Sequence, residues 1–363
     1  MATAESDNIM SRFLNRKYET LEPYTPGEQP KVLDLIKLNT NENPYGPSPE
    51  VLKVINEEEV GRLQLYSDPE AAELVEAIAE NFGISREQVA VGNGSDEILA
   101  FCFMAFQPEN GKVYFPDPSY GFYKVYGDVF KADMHPVPLN GNLEIVPEDY
   151  KNLDGTIIIA NPNAPTGIAL ETGVIEEIIK SNPDNLVIID EAYVDFGAKS
   201  CVPFIDKYDN ILVIQTFSKS RSLAGSRVGF ALGNKELIAD INRIKFSFNP
   251  YNLDRLAIRA AAAAMRDDSY FQMTRRQIME TREYTVREME ALGFEVLPSK
   301  ANFIFARNSR IAGKEYFEGL REKNILVRYF GKKPIEDYVR ITIGKREDME
   351  ALLSATKELL ERQ

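Results

Sequence analysis

The chain reads as an α/β protein, with a mostly parallel sheet covered by helices on both faces and a smaller α+β domain after it. Three observations carry this reading. From about residue 68 to 235, short apolar runs alternate with helical patterns. Each apolar run ends in a polar or glycine-rich turn, as strands buried within a parallel sheet do. Past residue 250 the texture changes to a long stretch rich in Ala, Glu and Arg, followed by a few separated strand-like runs. At 363 residues the chain exceeds one ordinary domain, so two packed units are expected.

The elements follow in order. The first 47 residues show no long element and are expected to pack with the small domain. Over residues 69–82, Leu74, Val75, Ile78 and Phe82 fall on one helical stripe, with Gly83 placed as the C-cap. Ser95, in Gly92-Asn-Gly-Ser-Asp-Glu97, is placed as the N-cap of a helix running to about Phe106. Strands are expected at 112–115, 156–160, 186–190, 211–216 and 228–232. Residues 254–292 read as almost continuous helix. Strands at 302–306, 325–327 and 338–343 accompany a helix near 312–323. An amphipathic helix over 346–362 closes the chain, with Met349, Leu352, Leu353 and Leu360 inward. The expected division is an N-terminal segment 1–47, a large domain 48–253 and a small domain 254–363.

Composition excludes several functions. Acidic residues outnumber basic ones 56 to 42, for a net charge of −14, which argues against a nucleic-acid or anionic-membrane partner. An acidic protein that binds an anion must gather its arginines in one pocket. Cys102 and Cys201 form neither a CxxC pair nor a Cys/His cluster, so no metal site or disulfide scaffold is expected. The single histidine, His135, has no Ser-His-Asp partnership to join and is placed on a surface strand or loop. The N-terminus lacks a secretory pattern, and no apolar run is long enough to span a bilayer, so a cytoplasmic protein is expected.

The chemistry gathers at the C-terminal ends of the proposed strands, where open α/β sheets bind ligands. Lys219 follows Ile211-Leu-Val-Ile-Gln-Thr216, with hydroxyls at Thr216 and Ser218 and a guanidinium at Arg227. That arrangement presents an amine beside a bound phosphate, able to form a Schiff base with an aldehyde cofactor. Taken alone, Lys219 fits a solvated loop lysine better, because most lysines lie on the surface. Asp190 ends Leu186-Val-Ile-Ile-Asp190; a carboxylate buried there needs a partner, and a protonated pyridine nitrogen is one. Tyr193 is in reach of the ring hydroxyl. A turn-capping Asp190 and a merely packed Tyr193 fit the same residues. Gly94, Ser95 and Asp96 supply amides at a helix start, suited to a phosphate or to ordinary capping. Tyr120 could lay its ring on a cofactor or fill core. Asn161-Pro-Asn-Ala-Pro-Thr-Gly167 forms a rigid turn whose asparagines its geometry does not explain.

Taken together, these segments resemble the fold-type I pyridoxal-phosphate aminotransferases, and within them the histidinol-phosphate aminotransferase family. The motifs run nearly end to end: Leu38-Asn-Thr-Asn-Glu-Asn-Pro-Tyr-Gly-Pro-Ser48, Tyr66-Ser-Asp-Pro69, Gly92-Asn-Gly-Ser-Asp-Glu97, Asp117-Pro-Ser-Tyr-Gly-Phe-Tyr123 and Asn161–Gly167. They continue through Asp190-Glu-Ala-Tyr193, Thr216-Phe-Ser-Lys219, Asn249-Pro-Tyr-Asn252, Pro298–Phe303, Ile325–Arg328 and Val339-Arg-Ile-Thr-Ile-Gly344.

The resemblance implies a seven-stranded central sheet, pyridoxal 5′-phosphate as cofactor and particular roles. Lys219 would carry the cofactor as a Schiff base and shuttle the proton. Asp190 would hold the ring nitrogen, Tyr193 the ring hydroxyl, and Tyr120 would stack. Gly94, Ser95, Asp96, Thr216, Ser218 and Arg227 would surround the phosphate, and Tyr66 would reach it from a neighbouring subunit in a homodimer with shared sites. Arg340, with Arg328 and Tyr24, would clamp the anionic group of small-molecule substrates. The implied reaction transfers the amino group of histidinol phosphate to 2-oxoglutarate, in histidine biosynthesis. A threonine-phosphate decarboxylase and an aromatic amino-acid aminotransferase share the scaffold, and a cofactor-binding regulatory module stands outside catalysis. One position departs from the family: Ala164 precedes Pro-Thr-Gly, where an asparagine usually bonds the ring hydroxyl. Either Asn161 or Asn163 compensates, or Tyr193 acts alone and the Lys219 linkage keeps its proton to higher pH.

Overall fold

Thirteen strands are formed among the described residues of this computed structural model, which are 11–30, 35–108 and 110–362. In chain order they are β1 Ile36–Lys37, β2 Val89–Gly92, β3 Lys112–Asp117, β4 Asp133–Pro138, β5 Thr156–Ala160, β6 Val187–Asp190, β7 Ile211–Thr216 and β8 Gly229–Gly233, then β9 Glu295–Val296, β10 Phe303–Arg307, β11 Ile325–Leu326, β12 Arg328–Tyr329 and β13 Val339–Thr342. Of the N-terminal segment read from the sequence, residues 1–10 and 31–34 lie outside the described ones.

Seven strands form the central sheet, in the order β2-β8-β7-β6-β5-β3-β4. All neighbours are parallel except those of β8, which runs antiparallel to both β2 and β7. The mostly parallel α/β fold expected from the sequence is therefore found. Strands β5 to β8 are apolar runs such as Thr156-Ile-Ile-Ile-Ala160 because helices cover both faces. Alternate residues enter two different cores: Ile157, Ile159, Ile189 and Val213 one, Ile158, Ile188, Leu212 and Ile214 the other. Strand β2 was not foreseen, and β4 was read only as a surface strand or loop around His135. The first is four residues long, and the second carries two prolines and His135 on an edge, where a strand can do without ladder donors. His135 pairs with Asp133 at 2.8 Å on that exposed edge.

The stripe Leu74, Val75, Ile78 is buried on the Ala72–Phe82 helix, and Gly83 ends it in the left-handed conformation (φ +67°). The next helix, Gly94–Phe106, begins two residues earlier than its sequence suggests. Asn93 takes the cap position, so Ser95 lies in the first turn with its hydroxyl free for another task.

The helix expected over 254–292 is two. Asp267 breaks it, because its carboxylate accepts from Tyr270 N and starts a new helix, Asp268–Ala291. The first piece, Arg255–Arg266, packs its alanines and Met265 into the core of the large sheet. A second sheet, β12-β13-β10-β9, is covered by Asp268–Ala291, Gly313–Glu322 and Arg346–Glu361, whose Met349, Leu352, Leu353 and Leu360 face its core. The early segment joins this second unit: β1 pairs in parallel with β11, and Leu38 sits in the same core. Between the two sheets lies one cleft.

Candidate active site

Strands β5 and β6 finish at the same level, and the adjacent β7 runs two residues further, to Thr216. Ala160 is in register with Asp190. Asp190 pairs with Ile214, and Gly229 is opposite both Thr216 and Gly92. This rim opens on a cavity of about 560 Å³ lined by Ser95, Asp96, Tyr120, Ala164, Asp190, Tyr193, Thr216, Ser218, Lys219 and Arg227, among others. It continues into the cleft between the units, where Tyr24, Arg328 and Arg340 lie with the same Tyr120, Tyr193 and Lys219. Twelve of the fourteen residues singled out from the sequence thus line one place, and Gly94 packs against Arg227 beside it. Tyr66 stands apart, four-fifths exposed and stacked on Tyr251 at 4.6 Å.

At one end the donors converge. Arg227 donates to Ser218 Oγ (3.1 Å) and to Asp96 Oδ2 (3.0 Å), and Thr216 Oγ1 lies 3.0 Å from Ser218 Oγ. Tyr120 also donates to Asp96, at 2.8 Å, so the Asp96 carboxylate fixes both an arginine and an aromatic ring. Glycine is required here twice. A Cβ on Gly94 would lie 2.4 Å from the Arg227 guanidinium, and one on Gly229 2.3 Å from Ser95 N. The cradle is the start of a 13-residue helix brought against a guanidinium and two hydroxyls, which suits a phosphate.

At the other end is a buried carboxylate. Asp190 is 5 % exposed; burial raises its pKa to about 6, against the pull of a 2.7 Å hydrogen bond from the Tyr123 hydroxyl and one from Ala192 N. A carboxylate in that state gains from a cationic partner on the cavity side. Lys219 Nζ lies between, donating to Thr40 O at 3.3 Å and standing 5.7 Å from the Tyr193 ring centre. Phosphate cradle, amine, aromatic wall and buried acid together fit pyridoxal phosphate.

The asparagines flanking Ala164 are occupied by other partners. Asn161 holds both the N–H and the carbonyl of Leu170 (2.7 and 3.2 Å), while Asn163 bonds Ser119, Pro118 O and Thr166. Both amides are engaged by loop contacts, and the residue lining the cavity is Ala164. Tyr193 is nonetheless not alone: its hydroxyl oxygen accepts from Asn41 Nδ2 at 3.0 Å.

Arg340 and Arg328 sit directly opposite each other on β13 and β12. Neither has an acidic partner among the described residues, and Arg340 Nε has no hydrogen bond at all. Burial, with the neighbouring Arg328, holds the Arg340 pKa below its usual value, while Tyr193 and Tyr24 act the other way. The Tyr24 hydroxyl is pushed up by burial, so it remains a donor.

A sequence model of the aminotransferase class I and II family matches residues 33–355. The chain belongs to the class I and II aminotransferases. Among curated relatives, this aminotransferase is 50% identical to the histidinol-phosphate aminotransferase of Clostridium beijerinckii, over 97% of the chain and 98% of that protein. It is 51% identical to histidinol-phosphate aminotransferase 1 of Bordetella parapertussis, over 96% and 99%. Its fold matches the crystal structure of the Sinorhizobium meliloti enzyme in complex with pyridoxal-5′-phosphate, with a TM-score of 0.82 at 24% identity, covering 90% of this chain and 91% of that one. The family resemblance drawn from the motifs is therefore upheld.

Sequence reasoning missed Asn39, Thr40, Asn41 and Tyr123. Three asparagines in the five residues Asn39–Asn43 were the available signal for the first group, since a structureless surface segment has no need of them. For Tyr123 the signal was its spacing, three residues after Tyr120.

Proposed function

We propose that this chain is a pyridoxal-phosphate-dependent histidinol-phosphate transaminase, transferring the amino group of histidinol phosphate to 2-oxoglutarate and giving imidazole acetol phosphate and glutamate. The observation that carries the substrate class is the facing Arg328–Arg340 pair. Like charges directly opposite in a sheet are unfavourable, and a buried guanidinium without an acid is more so, unless an anion arrives. The chain's relatives at about half identity supply the particular anion.

When bound, the cofactor supplies an electron-withdrawing ring that accepts the charge developing on the substrate carbon. The protein's residues do the rest. Amides of Ser95 and Asp96 with Thr216, Ser218 and Arg227 would anchor the phosphate, Tyr120 would cover the ring, and Asp190 would hold its nitrogen protonated. Tyr193 would donate to the ring oxygen. Lys219 Nζ, which points into the cavity, would be the base that takes up and returns the substrate's proton. Arg340, Arg328 and Tyr24 hold the phosphate of one substrate and a carboxylate of the other, so both align against the same lysine.

The working unit is a homodimer. Val60, Leu63, Leu65, Phe246, Phe248 and Tyr251 are apolar and exposed like Tyr66, on which Tyr251 stacks, and this supports a face closed by a second copy and a Tyr66 that serves the partner's phosphate. The large unit, with Arg255–Arg266, holds the cofactor, and the small unit with the early segment holds the substrate clamp. The setting is the cytoplasm.

Assay of the purified dimer with histidinol phosphate and 2-oxoglutarate tests the reading: glutamate and a pyridoxamine form of the cofactor are expected. Carbon dioxide release from threonine phosphate, or turnover of phenylalanine in preference to histidinol phosphate, would overturn it.

A further inference from the structure

The segment Asn39–Asn43 touches one functional group after another. Asn39 O accepts from Arg340 (2.9 Å), Thr40 O from Lys219 Nζ (3.3 Å), and Asn43 Nδ2 donates to the Lys219 and Ser220 carbonyls (3.0 and 3.2 Å). Asn41 lies in the middle. It is 1 % exposed, with φ at +56°, a conformation unfavourable for a residue with a side chain. All its polar groups are engaged. The N–H donates to Thr342 Oγ1, which donates back to Oδ1, both at 3.0 Å; its carbonyl accepts from Asn302; and Nδ2 donates to Tyr193 OH. Glycine would meet the backbone demand with less strain, so the side chain needs its own explanation, and Tyr193 is where it ends.

A phenol has one proton and two lone pairs. With an amide donated into one lone pair, the Tyr193 oxygen is held as acceptor on that side, and its proton is left for the cavity. The same donation polarises the O–H and makes it a stronger donor. We propose that Asn41 is a positioning residue that aims the Tyr193 hydroxyl at the cofactor's ring oxygen, in the place the Ala164 side chain cannot fill. This rests on the pyridoxal-phosphate reading above. Thr342 lies on β13, two residues from Arg340, and Arg340 itself is tied to Asn39 O. The clamp on the substrate and the donor on the ring oxygen are thereby fixed to one strand of the small unit, although Tyr193 belongs to the large one.

The charged or titratable groups that face Tyr193 are Lys219, Arg340, Tyr24, Tyr120 and Tyr123, and none of them is hydrogen-bonded to the Asn41 side chain, which among the described residues bonds only Tyr193 and Thr342. A donor on the ring oxygen stabilises its negative charge and so favours loss of the proton from the attached Lys219 nitrogen. Weakening that donor raises the pH midpoint of the cofactor's visible absorption change. The experiment follows this midpoint in holoprotein carrying Asn41→Gly, alone and with Tyr193→Phe. A rise of about half to one unit is expected in Asn41→Gly, and almost none when Asn41→Gly is added to Tyr193→Phe. An unmoved midpoint in Asn41→Gly, or an equal rise in both backgrounds, overturns the proposal. Asn41→Asp, which keeps the shape and tolerates the left-handed backbone but donates nothing, reads the same quantity should the glycine variant fail to fold. Borohydride labelling of Lys219 in the parent separates this failure from that of the cofactor reading. A labelled parent with an unmoved midpoint rejects Asn41 alone, and an unlabelled parent rejects both.

Discussion

The Tyr123 hydroxyl donates a 2.7 Å hydrogen bond to Asp190 Oδ2 in the interior of the protein, with both side chains shielded from solvent. Burial raises the Tyr123 pKa well above its usual value, and the adjacent carboxylate adds to this, so the phenol is a permanent donor to the ionised acid. Tyr120 meets Tyr123 edge-on at 5.6 Å, which ties the residue proposed to cover the ring to the residue that supports its acid.

Tyr123→Phe keeps the shape and removes the donor. A hydrogen bond to a charged group is worth about 1.5–3 kcal/mol, so kcat should fall about 10- to 100-fold. Cofactor affinity should fall with it. Unchanged kcat and unchanged affinity in a folded variant would show that Tyr123 only packs.

Asp190 makes the empty protein's stability depend on pH. Its folded pKa, about 6, lies above the ordinary 3.8, so its favourable contribution is complete below about pH 3.8 and is lost as pH rises through about 6. Glu191, raised by burial to about 7 against bonds from Ser200, Cys201 N and Gln215, acts in the same direction. Asp190→Asn isolates the first. Without cofactor it should be more stable than the parent at pH 8 by on the order of 2–3 kcal/mol, a gain that shrinks towards pH 4, while turnover is lost. Denaturant titrations at the two pH values check this, and a gain that is independent of pH would contradict it.

Arg340→Leu should lower kcat/KM for histidinol phosphate and for 2-oxoglutarate alike, by about 10- to 100-fold each. A lysine there should recover only part, since an ammonium lacks the planar fork. Removing a buried cation without an acidic partner should also raise the melting temperature of the protein free of substrate. A defect confined to one of the two substrates would separate the clamp into two sites.

Gly229→Ala places a methyl against the Ser95 amide. Overpacking of that kind costs about 1–3 kcal/mol, and it should be accompanied by weaker phosphate anchorage. Thermal unfolding and cofactor titration together test it; a variant with parental values for both would mean that the cradle yields.

Much of this was legible in the sequence because it is local. Lys219, Thr216 and Ser218 follow an apolar run whose end marks the rim, and Asp190 ends another, so strand periodicity alone places them at one edge of a sheet. Arg227 is read from the same stretch. Asn41, by contrast, reaches Tyr193 across 152 positions, and its partner Thr342 lies 301 away. No pattern within a window encodes such a meeting. The break at Asp267 was hidden for a different reason: an aspartate flanked by helix formers reads as one more polar helix residue until its carboxylate is seen capping Tyr270. Strand β4 stayed undecided between strand and loop because prolines argue against strands everywhere except at an edge, and an edge is a property of the assembled sheet.

The central claim is that a single amine, Lys219 Nζ, joins the cofactor. Borohydride reduction of the holoprotein, followed by digestion and mass mapping, tests it most directly. The account predicts one pyridoxyl tag, on the lysine that follows Phe217-Ser218. A tag on any other lysine, or a fully loaded protein that takes none, would contradict it.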